Sequence, residues 1–352
     1  MPDRNPRDAV TEGMKAGGYY DAHSEYQRRV VESGHAAIRE LVATAGLDRV
    51  QGAFTIADYG AGTGATSADA VGVALRALRE RDGEVPAAAI HNDVITNDFN
   101  AVFAAAAGDD GYLSLGGGPV YPLAAAGSFF TQVVPDGTVD LGLCSNASHW
   151  FRAQPRTAPP DSMWFSDAPP DVRAALAEQA AGDWSAFLAA RAVELATGGR
   201  LLVQGIGRTQ GEDGSELVSA ARLLRVMWEV ASDLADDGAL DRDLLQEPAI
   251  GGGELSGTLE LVSSTVEEVA NPFWEVLERD GDPEAYAAAY TAFVRAFSES
   301  TLTLNLFEPA ARGVEPAKLC DEYFDRFQAA TAADPEAGKY EAWILRAAFA
   351  QR

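Results

Sequence analysis

The sequence holds few cysteines. Cys144 and Cys320 are the two among 352 residues, far apart and outside any CxxC pairing. That excludes a disulfide framework and leaves no cysteine spacing suited to zinc. Positive charge is scarce as well. Lys and Arg number 27 against 53 Asp and Glu, a formal net charge of -26, so nucleic acid and anionic membrane surfaces are not expected partners. No apolar run is long enough to span a bilayer. The first residues, "MPDRNPRDAVTEG", lack the apolar centre of a secretory signal, and a cytoplasmic address is expected. No cluster with metal-ligand spacing is present, so no metal is expected.

What is present is a foldable chain. Hydrophobic residues make up 47%, enough for a well-buried core, and the length suits one large domain or a domain carrying a substantial insertion. The acid excess reads mainly as a solvated surface, with a secondary capacity to attract a cationic ligand.

Segments of strand and helix character alternate through the first two thirds. Residues 1–18 read as a flexible arm. "SEYQRRVVESGHAAIRELVATA" (24–45) has helical apolar spacing, with Ser24 as N-cap. "GAFTIADYG" and "PAAAIHNDV" read as buried strands, "TVDLGLCSNASHW" contains a third, and "RLLVQGIG" follows the helix "DWSAFLAARAVELATGG". This order predicts an α/β fold with a mostly parallel sheet. Residues 215–248 and 283–330 read as helical, "ELSGTLELVSSTVEEV" as a strand or hairpin, and "KYEAWILRAAFAQR" as a terminal strand. The GGG triplets at 116–118 and 251–253 mark loops. The expected division is an N-terminal arm and helix (1–48) contributing to the active site and an α/β core (49–210). A helical cap over an acceptor pocket (211–250 and 270–335) and remaining core strands (251–269 and 336–352) complete it.

Between the first strand and the next helix lies "DYGAGTG" (58–64). Glycines in such a turn let a ligand approach the backbone, and the helix start offers free N–H groups. Gly60, Gly62 and Ala65 satisfy GxGxx(G/A), so a dinucleotide site is one reading, a weak one by itself. A phosphate loop is excluded because no GK(S/T) follows. Asp58, two residues before the first glycine, would repel a pyrophosphate and suits a cationic amino-acid end. Asp93 ends the next strand, where a carboxylate can accept both hydroxyls of a ribose. With the later helix, Gly-Gly turn and strand in "ELATGGRLLV", these features favour S-adenosylmethionine over a nicotinamide cofactor.

Five segments bear a family resemblance. "MKAGGYYDAHSEYQ", "IADYGAGTGATS", "HNDVITNDFNAVF", "GSFFTQVVPDGTVDLGLCSNASHWF" and "FLAARAVELATGGRLLVQGIGR" resemble, in order, the conserved segments of the SABATH carboxyl methyltransferases. That family methylates small acids such as salicylate, benzoate, jasmonate and indole acetate, and xanthines at nitrogen. The NDFN and HW segments are the most specific, and the match is loose beyond residue 210. The resemblance implies a Rossmann-like class I methyltransferase core, a mostly parallel seven-stranded sheet with an inserted α-helical cap, and a homodimer. It implies that Tyr20, Ser24, Asp58, Gly60, Gly62, Thr66, Asp93, Val94, Ser128, Phe129 and Cys144 surround the methyl donor, Asp93 at its ribose and Phe129 at its adenine. Gln27 and Trp150 would hold the acceptor's carboxylate. His149, Asn146, Tyr20, Met227 and Trp228 would line the acceptor pocket. Four departures stand out: a shorter Gly-Gly spacing, His23 and Thr66 where Asn is usual, and Asn146 where Tyr is common.

The chemistry expected of such a site is spare. A carboxylic acid is already ionised at neutral pH, so no residue need act as acid or base. The residues have plainer readings too: Gln27 as a solvated helix residue, Trp150 as a core aromatic, Met227 and Trp228 as helix packing, and His35 and His91 as structural. The expected function is S-adenosylmethionine-dependent methyl esterification of a small, aromatic carboxylic acid. The alternatives are methylation of a nitrogen or hydroxyl, a nicotinamide oxidoreductase, and a donor-binding protein without catalysis.

Overall fold

The computed structural model describes residues 19–47, 52–153, 167–242 and 259–351. The expected arm at 1–18, the loop at 251–253 and the side chain of Tyr20 lie outside them.

The first described residues form helices α1 (Tyr19–Ala22), α2 (Glu25–Ser33) and α3 (His35–Thr44). The segment predicted as one helix is two, joined at Gly34. A Cβ on Gly34 would sit 2.0 Å from Oε1 of the buried Gln204, so a side chain at the junction would collide with the sheet. Ser24 precedes α2 as predicted, but its side chain makes no capping hydrogen bond.

Next come β1 (Phe54–Tyr59), α4 (Ala65–Arg81), β2 (Ala87–Asp93), α5 (Phe99–Ala107), a 3-10 turn (Tyr112–Ser114), β3 (Val120–Ala126) and β4 (Val139–Ser145). Helix α6 (Pro170–Glu194) leads into β5 (Leu195–Ile206), a hairpin of β6 (Arg208–Gln210) and β7 (Glu216–Val218), and α7 (Ala221–Asp236). The last part holds β8 (Glu260–Val269), α8 (Pro272–Asp280), α9 (Pro283–Leu302), a π-helical turn (Thr303–Phe307), α10 (Glu308–Ala310), α11 (Pro316–Ala333) and β9 (Ala342–Ala350). The Gly-Gly turn expected to precede the fifth strand lies inside it. Leu195 already pairs with Val139, and the register slips before Leu141 meets Arg200.

The seven-stranded sheet runs β3-β2-β1-β4-β5-β9-β8. Its first five strands are mutually parallel, and β9 lies antiparallel between β5 and β8. Strands β1, β2 and β4 are buried on both faces, as their continuous apolar runs require. On one face α3, α4 and α5 pack over Ile56, Ala89 and Leu143. On the other, α6 brings Trp184, Phe187 and Leu188 onto Tyr59 and Leu201. Helices α7, α9 and α11 share a separate aromatic core with Tyr26 and Val30 of α2. The strand order reverses between β1 and β4, and the carboxyl ends of strands at such a point form the usual ligand crevice.

Candidate active site

The glycine turn leaves β1 at that reversal. Gly60, Gly62 and Gly64 have φ of 90°, 57° and 103°, a region that disfavours side chains. At Gly60 and Gly64 space forbids them as well. A Cβ on Gly60 would sit 2.3 Å from Cβ of Ala147, just beyond β4, and one on Gly64 would sit 2.5 Å from Cα of Val102 on α5. The turn is held from β2: the N–H groups of Gly60 and Ala61 both reach the Asn92 carbonyl at 2.9 Å. The Asn97 amide donates to the Gly62 carbonyl at 2.8 Å, while Asp98 caps α5 by accepting from the Asn100 and Ala101 N–H groups. The "NDFN" segment thus anchors both the turn and the next helix.

Asp93 faces the turn. One carboxylate oxygen accepts the Gly62 N–H and the other the Val94 N–H, both at 2.7 Å. Each oxygen keeps a further lone pair for a ligand. Burial pushes the Asp93 pKa up, and the two amides pull it back. Asp58 is more enclosed, 4% exposed. Burial raises its pKa to about 6, a Ser67 hydrogen bond opposes that rise, and the charge of Asp93 adds to it. Thr66 is half-buried in the first turn of α4, and Val94 and Ser128 are exposed. Cys144 is fully enclosed beside Tyr59 and Ala147. Burial and the nearby Asp58 push its thiol up to about 12, so it is a neutral wall rather than a nucleophile.

Phe129 reaches the turn from the loop after β3, its ring edge 3.8 Å from where a Gly60 Cβ would stand. That loop is tied down by a buried ion pair on α6. Arg191 Nε donates to Glu194 Oε2 at 2.8 Å, and its two terminal nitrogens donate to the carbonyls of Phe129 (2.6 Å) and Thr131 (3.0 Å). Glu194 accepts from the Tyr59 hydroxyl at 2.7 Å and from the N–H groups of Val133 and Val134. Arg191 and Glu194 are both completely buried, and such a pair is tolerable only when its hydrogen-bonding capacity is filled.

Across the segment 146–150 lies a second cavity, between α2, the end of β4 and the cap. Gln27, Asn146, His149 and Trp150 form its polar end, and Val30, Ile206, Leu223, Leu224, Phe293, Phe297, Tyr26 and Tyr340 are among its other walls. No Asp, Glu, Lys or Arg is among the described residues lining it. Two buried polar atoms here have no partner, Gln27 Oε1 and His149 Nδ1. Native structures seldom leave such groups unpaired. Burial lowers His149 to about 4, so its imidazole is neutral. Asn146 (φ 55°) and Ala220 (φ 65°) are the non-glycine residues of positive φ among the described residues, and both line this cavity. Backbone strain of that kind gathers at binding sites. Tyr26 pins α2 above it, donating to the Val269 carbonyl (2.9 Å) and accepting the Ala342 N–H (3.1 Å).

The sequence-predicted residues Gln27, Asn146, His149 and Trp150 therefore meet in one cavity, and Asp58, Gly60, Gly62, Asp93 and Phe129 meet in the adjoining crevice. Met227 and Trp228 do not line the cavity. Met227 is buried in the cap core, where its carbonyl accepts the Tyr323 hydroxyl at 3.0 Å, and Trp228 packs against the same core. From α7 it is Leu223 and Leu224 that face the cavity. Phe293 and Phe297, one helical turn apart on α9, and Tyr340 escaped the sequence reading. Their spacing was visible, but aromatic pairs at that spacing are ordinary in helix cores.

A parallel-sheet crevice with three positive-φ glycines, a carboxylate at the end of each of two adjacent strands and an aromatic ring fits a nucleoside-bearing methyl donor, and the adjoining uncharged cavity fits its acceptor. This is the architecture of an S-adenosylmethionine-dependent methyltransferase of class I. The sequence pattern of the family described as "SAM dependent carboxyl methyltransferase" matches residues 9–247, and the chain belongs to that family, the SABATH methyltransferases. Among its relatives, paraxanthine methyltransferase 2 of Arabidopsis thaliana is 25% identical over 329 residues, 85% of this chain and 90% of that protein. Farnesoic acid carboxyl-O-methyltransferase of the same plant is 27% identical over 240 residues, 64% of this chain and 66% of that protein. The match thus spans just under two thirds of the farnesoic acid enzyme. A solved structure of loganic acid methyltransferase with SAH superimposes with a TM-score of 0.77 at 18% identity, covering 96% of this chain and 98% of that one, and shares the fold.

Proposed function

We propose that the protein transfers the methyl group of S-adenosylmethionine to the carboxylate of a small acid with a flat, apolar body, giving the methyl ester. The observation that carries this reading is the uncharged polar end of the cavity, with its unpartnered Gln27 and His149 atoms, set directly behind the glycine turn by the 146–150 segment. In the crevice, Asp58 takes the donor's ammonium, Asp93 its ribose hydroxyls and Phe129 its adenine, with Ser24, Thr66, Val94 and Ser128 at the rim. When bound, the donor supplies an electrophilic methyl on a sulfonium.

The chain's own task is orientation. The nucleophile arrives ionised, so a neutral His149 suffices and no proton need move. Charge is lost as a carboxylate meets a sulfonium, and a cationic clamp would stabilise the starting anion more than the transition state. Gln27 and Trp150, neutral hydrogen-bond donors, hold the acid without that penalty. Positioning of this kind is worth up to ~7–11 kcal/mol in favourable cases. The aromatic and aliphatic walls from Phe293, Phe297, Tyr340, Leu223 and Leu224 suit a ring or short hydrocarbon body.

A second reading is methylation of a ring nitrogen. The paraxanthine relative matches over more of the chain than the farnesoic acid relative does, and the Gln27 and Asn146 amides offer the paired donor and acceptor that a lactam edge requires. Incubation with methyl-labelled donor tests both readings, using benzoate, salicylate, anthranilate, cinnamate, indole-3-acetate and a fatty acid beside xanthines. Label in a base-labile, organic-soluble product supports esterification, and base-stable label on a xanthine supports the second reading. Donor binding without transfer to either class would mark a protein that binds the donor without using it on these acceptors. The homodimer expected of the family is tested by sedimentation.

A further inference from the structure

Helix α4, strand β2 and the 3-10 turn bring together a line of buried polar groups beneath the donor crevice. Asp58 and His91 are register partners on the adjacent parallel strands β1 and β2, so their side chains share a face of the sheet. Ser67, in the first turns of α4, lies over that face. Its hydroxyl is hydrogen-bonded to the Asp58 carboxylate and stands 2.8 Å from His91 Nδ1. His91 Nε2 stands 2.8 Å from the hydroxyl of Tyr112. His91 and Tyr112 are fully buried, and Ser67 is 3% exposed.

We infer that His91 and Tyr112 are positioning residues for Asp58: through Ser67 they form a one-directional chain of hydrogen bonds that presents the carboxylate, ionised, to the ammonium of the methyl donor. This rests on the donor-binding reading above. The direction follows from proton counting. An ionised carboxylate only accepts, so the single hydrogen of Ser67 goes to Asp58. The Ser67 oxygen must then accept from His91 Nδ1–H. A neutral imidazole has one N–H, so Nε2 is left with its lone pair and accepts the Tyr112 O–H. Burial lowers His91 to about 4 and leaves it neutral. Hydrogen bonds aligned head to tail polarise one another toward the charge at their end.

Asp58 needs this support. Burial and the charge of Asp93, at the end of β2, both favour its protonated form, and the Ser67 hydrogen bond opposes them. From β4 the register partner of Asp58 is the apolar Leu143, and the next residue, Cys144, is a neutral thiol that feels the charges of both Asp58 and Arg191 of α6. A protonated Asp58 would have no charge to offer an ammonium, so the chain through Ser67 keeps the donor site competent toward acid.

The test uses the full-length protein and S-adenosylhomocysteine, which carries the same ammonium and does not react. Its dissociation constant is measured by calorimetry across the acid and neutral range. For the unaltered protein, affinity falls in acid as Asp58 protonates. In His91→Leu the midpoint of that fall moves upward. The effect reaches Asp58 only through the polarisation of Ser67, so the shift is a fraction of the roughly one pH unit, or tenfold, that a hydrogen bond made directly to the charge is worth. Tyr112→Phe, one link further out, moves it less in the same direction. His91→Asn keeps an N–H toward Ser67 and restores most of the midpoint. In all three, affinity returns toward that of the unaltered protein at the alkaline end, which general damage to the fold would not produce. Folded Tyr112→Phe and His91→Leu proteins with an unmoved midpoint, or with a loss uniform in pH, would overturn the inference while leaving the donor reading intact. An unaltered protein that does not bind the probe would overturn both. The carboxyl carbon-13 titration of Asp58 without ligand gives the same midpoint independently and reads out the chain even in a variant that binds poorly.

Discussion

Gly60 and Ala147 touch across the point where the strand order reverses, so closely that a Cβ on the glycine would lie 2.3 Å from that of the alanine. The glycine turn of the donor crevice and the segment carrying Asn146, His149 and Trp150 are one packed unit. On the proposed reading, donor and acceptor would share that unit as a common wall.

Gly60→Ala should therefore damage both sites at once. The φ of 90° disfavours a side chain, which costs ~1–2 kcal/mol, and the overlap with Ala147 adds ~1–3 kcal/mol by overpacking. Thermal unfolding should show the sum of the two. Equilibrium binding should show donor affinity reduced by at least tenfold, and acceptor KM should rise because the 146–150 segment is displaced. A variant with normal KM and weakened donor binding would mean that the two walls are not coupled.

Much of this unit was readable from the sequence because the residues that make it are constrained locally. A strand, a glycine turn and a helix start are short-range features, and β1, β2, β4 and β5 are buried runs of the kind parallel sheets demand. Strand β3 went unread. It is an edge strand, largely exposed, with Pro122 in its middle, and neither alternation nor burial marks such a strand. Met227 and Trp228, candidates for the pocket wall with helix packing as their plainer reading, do pack in the helical core, and Leu223 and Leu224 face the cavity instead. Helix α7 buries residues on more than one side, including 223, 224, 226, 227 and 230. Which side meets the cavity depends on how α11 and α9 rotate it, and that is a long-range fact. His91, read as structural, does sit wholly in the core; its link to Asp58 needed the register of β1 against β2.

The Arg191–Glu194 pair should behave unlike a simple salt bridge. Arg191→Met alone strands Glu194 and two loop carbonyls, and breaking a buried pair costs ~3–5 kcal/mol. Replacing both residues with apolar ones often rescues stability elsewhere. Here the carbonyls of Phe129 and Thr131 and the N–H groups of Val133 and Val134 would lose their partners together. The double variant Arg191→Met/Glu194→Leu should thus stay within ~1–2 kcal/mol of the single one in denaturant unfolding. Its donor affinity should fall with the loss of order at Phe129. Full recovery of stability would show that the loop finds other partners.

The burial of Asp58 makes a pH prediction with a definite sign. Its folded pKa is about 6 against 3.8 for the free group, so between those values the folded state binds a proton that the unfolded state has lost. Stability from this group falls as pH rises through that window, and above about 6 the ionised carboxylate is a net cost of up to ~3 kcal/mol. Asp58→Asn should accordingly be more stable than the parent at neutral pH, with the advantage fading as pH drops toward 4. Urea unfolding of both proteins at a series of pH values measures the difference directly. Donor binding in the variant should be largely lost, an exchange of function for stability expected where a charge is buried for a ligand. A variant less stable than the parent at neutral pH would mean that Asp58 is held in the fold by contacts stronger than its burial.

Orientation without proton transfer leaves its own kinetic mark. His149 is held neutral by burial, at about 4, and the acceptor acid is ionised well below neutrality. With a carboxylate acceptor, kcat should be flat from neutral to mildly alkaline pH, with no limb near the ordinary histidine pKa. Gln27→Ala and Trp150→Phe should lower kcat/KM by roughly tenfold to a hundredfold, a loss of ~1.4–2.7 kcal/mol of transition-state stabilisation. Donor affinity should stay within about twofold, since these side chains line the cavity across the 146–150 segment and not the glycine turn. A steep limb between pH 6 and 7 that vanishes in His149→Gln would instead make the histidine a base. That result would point to an acceptor whose nucleophile must first give up a proton, a ring nitrogen or a hydroxyl, and away from a carboxylate.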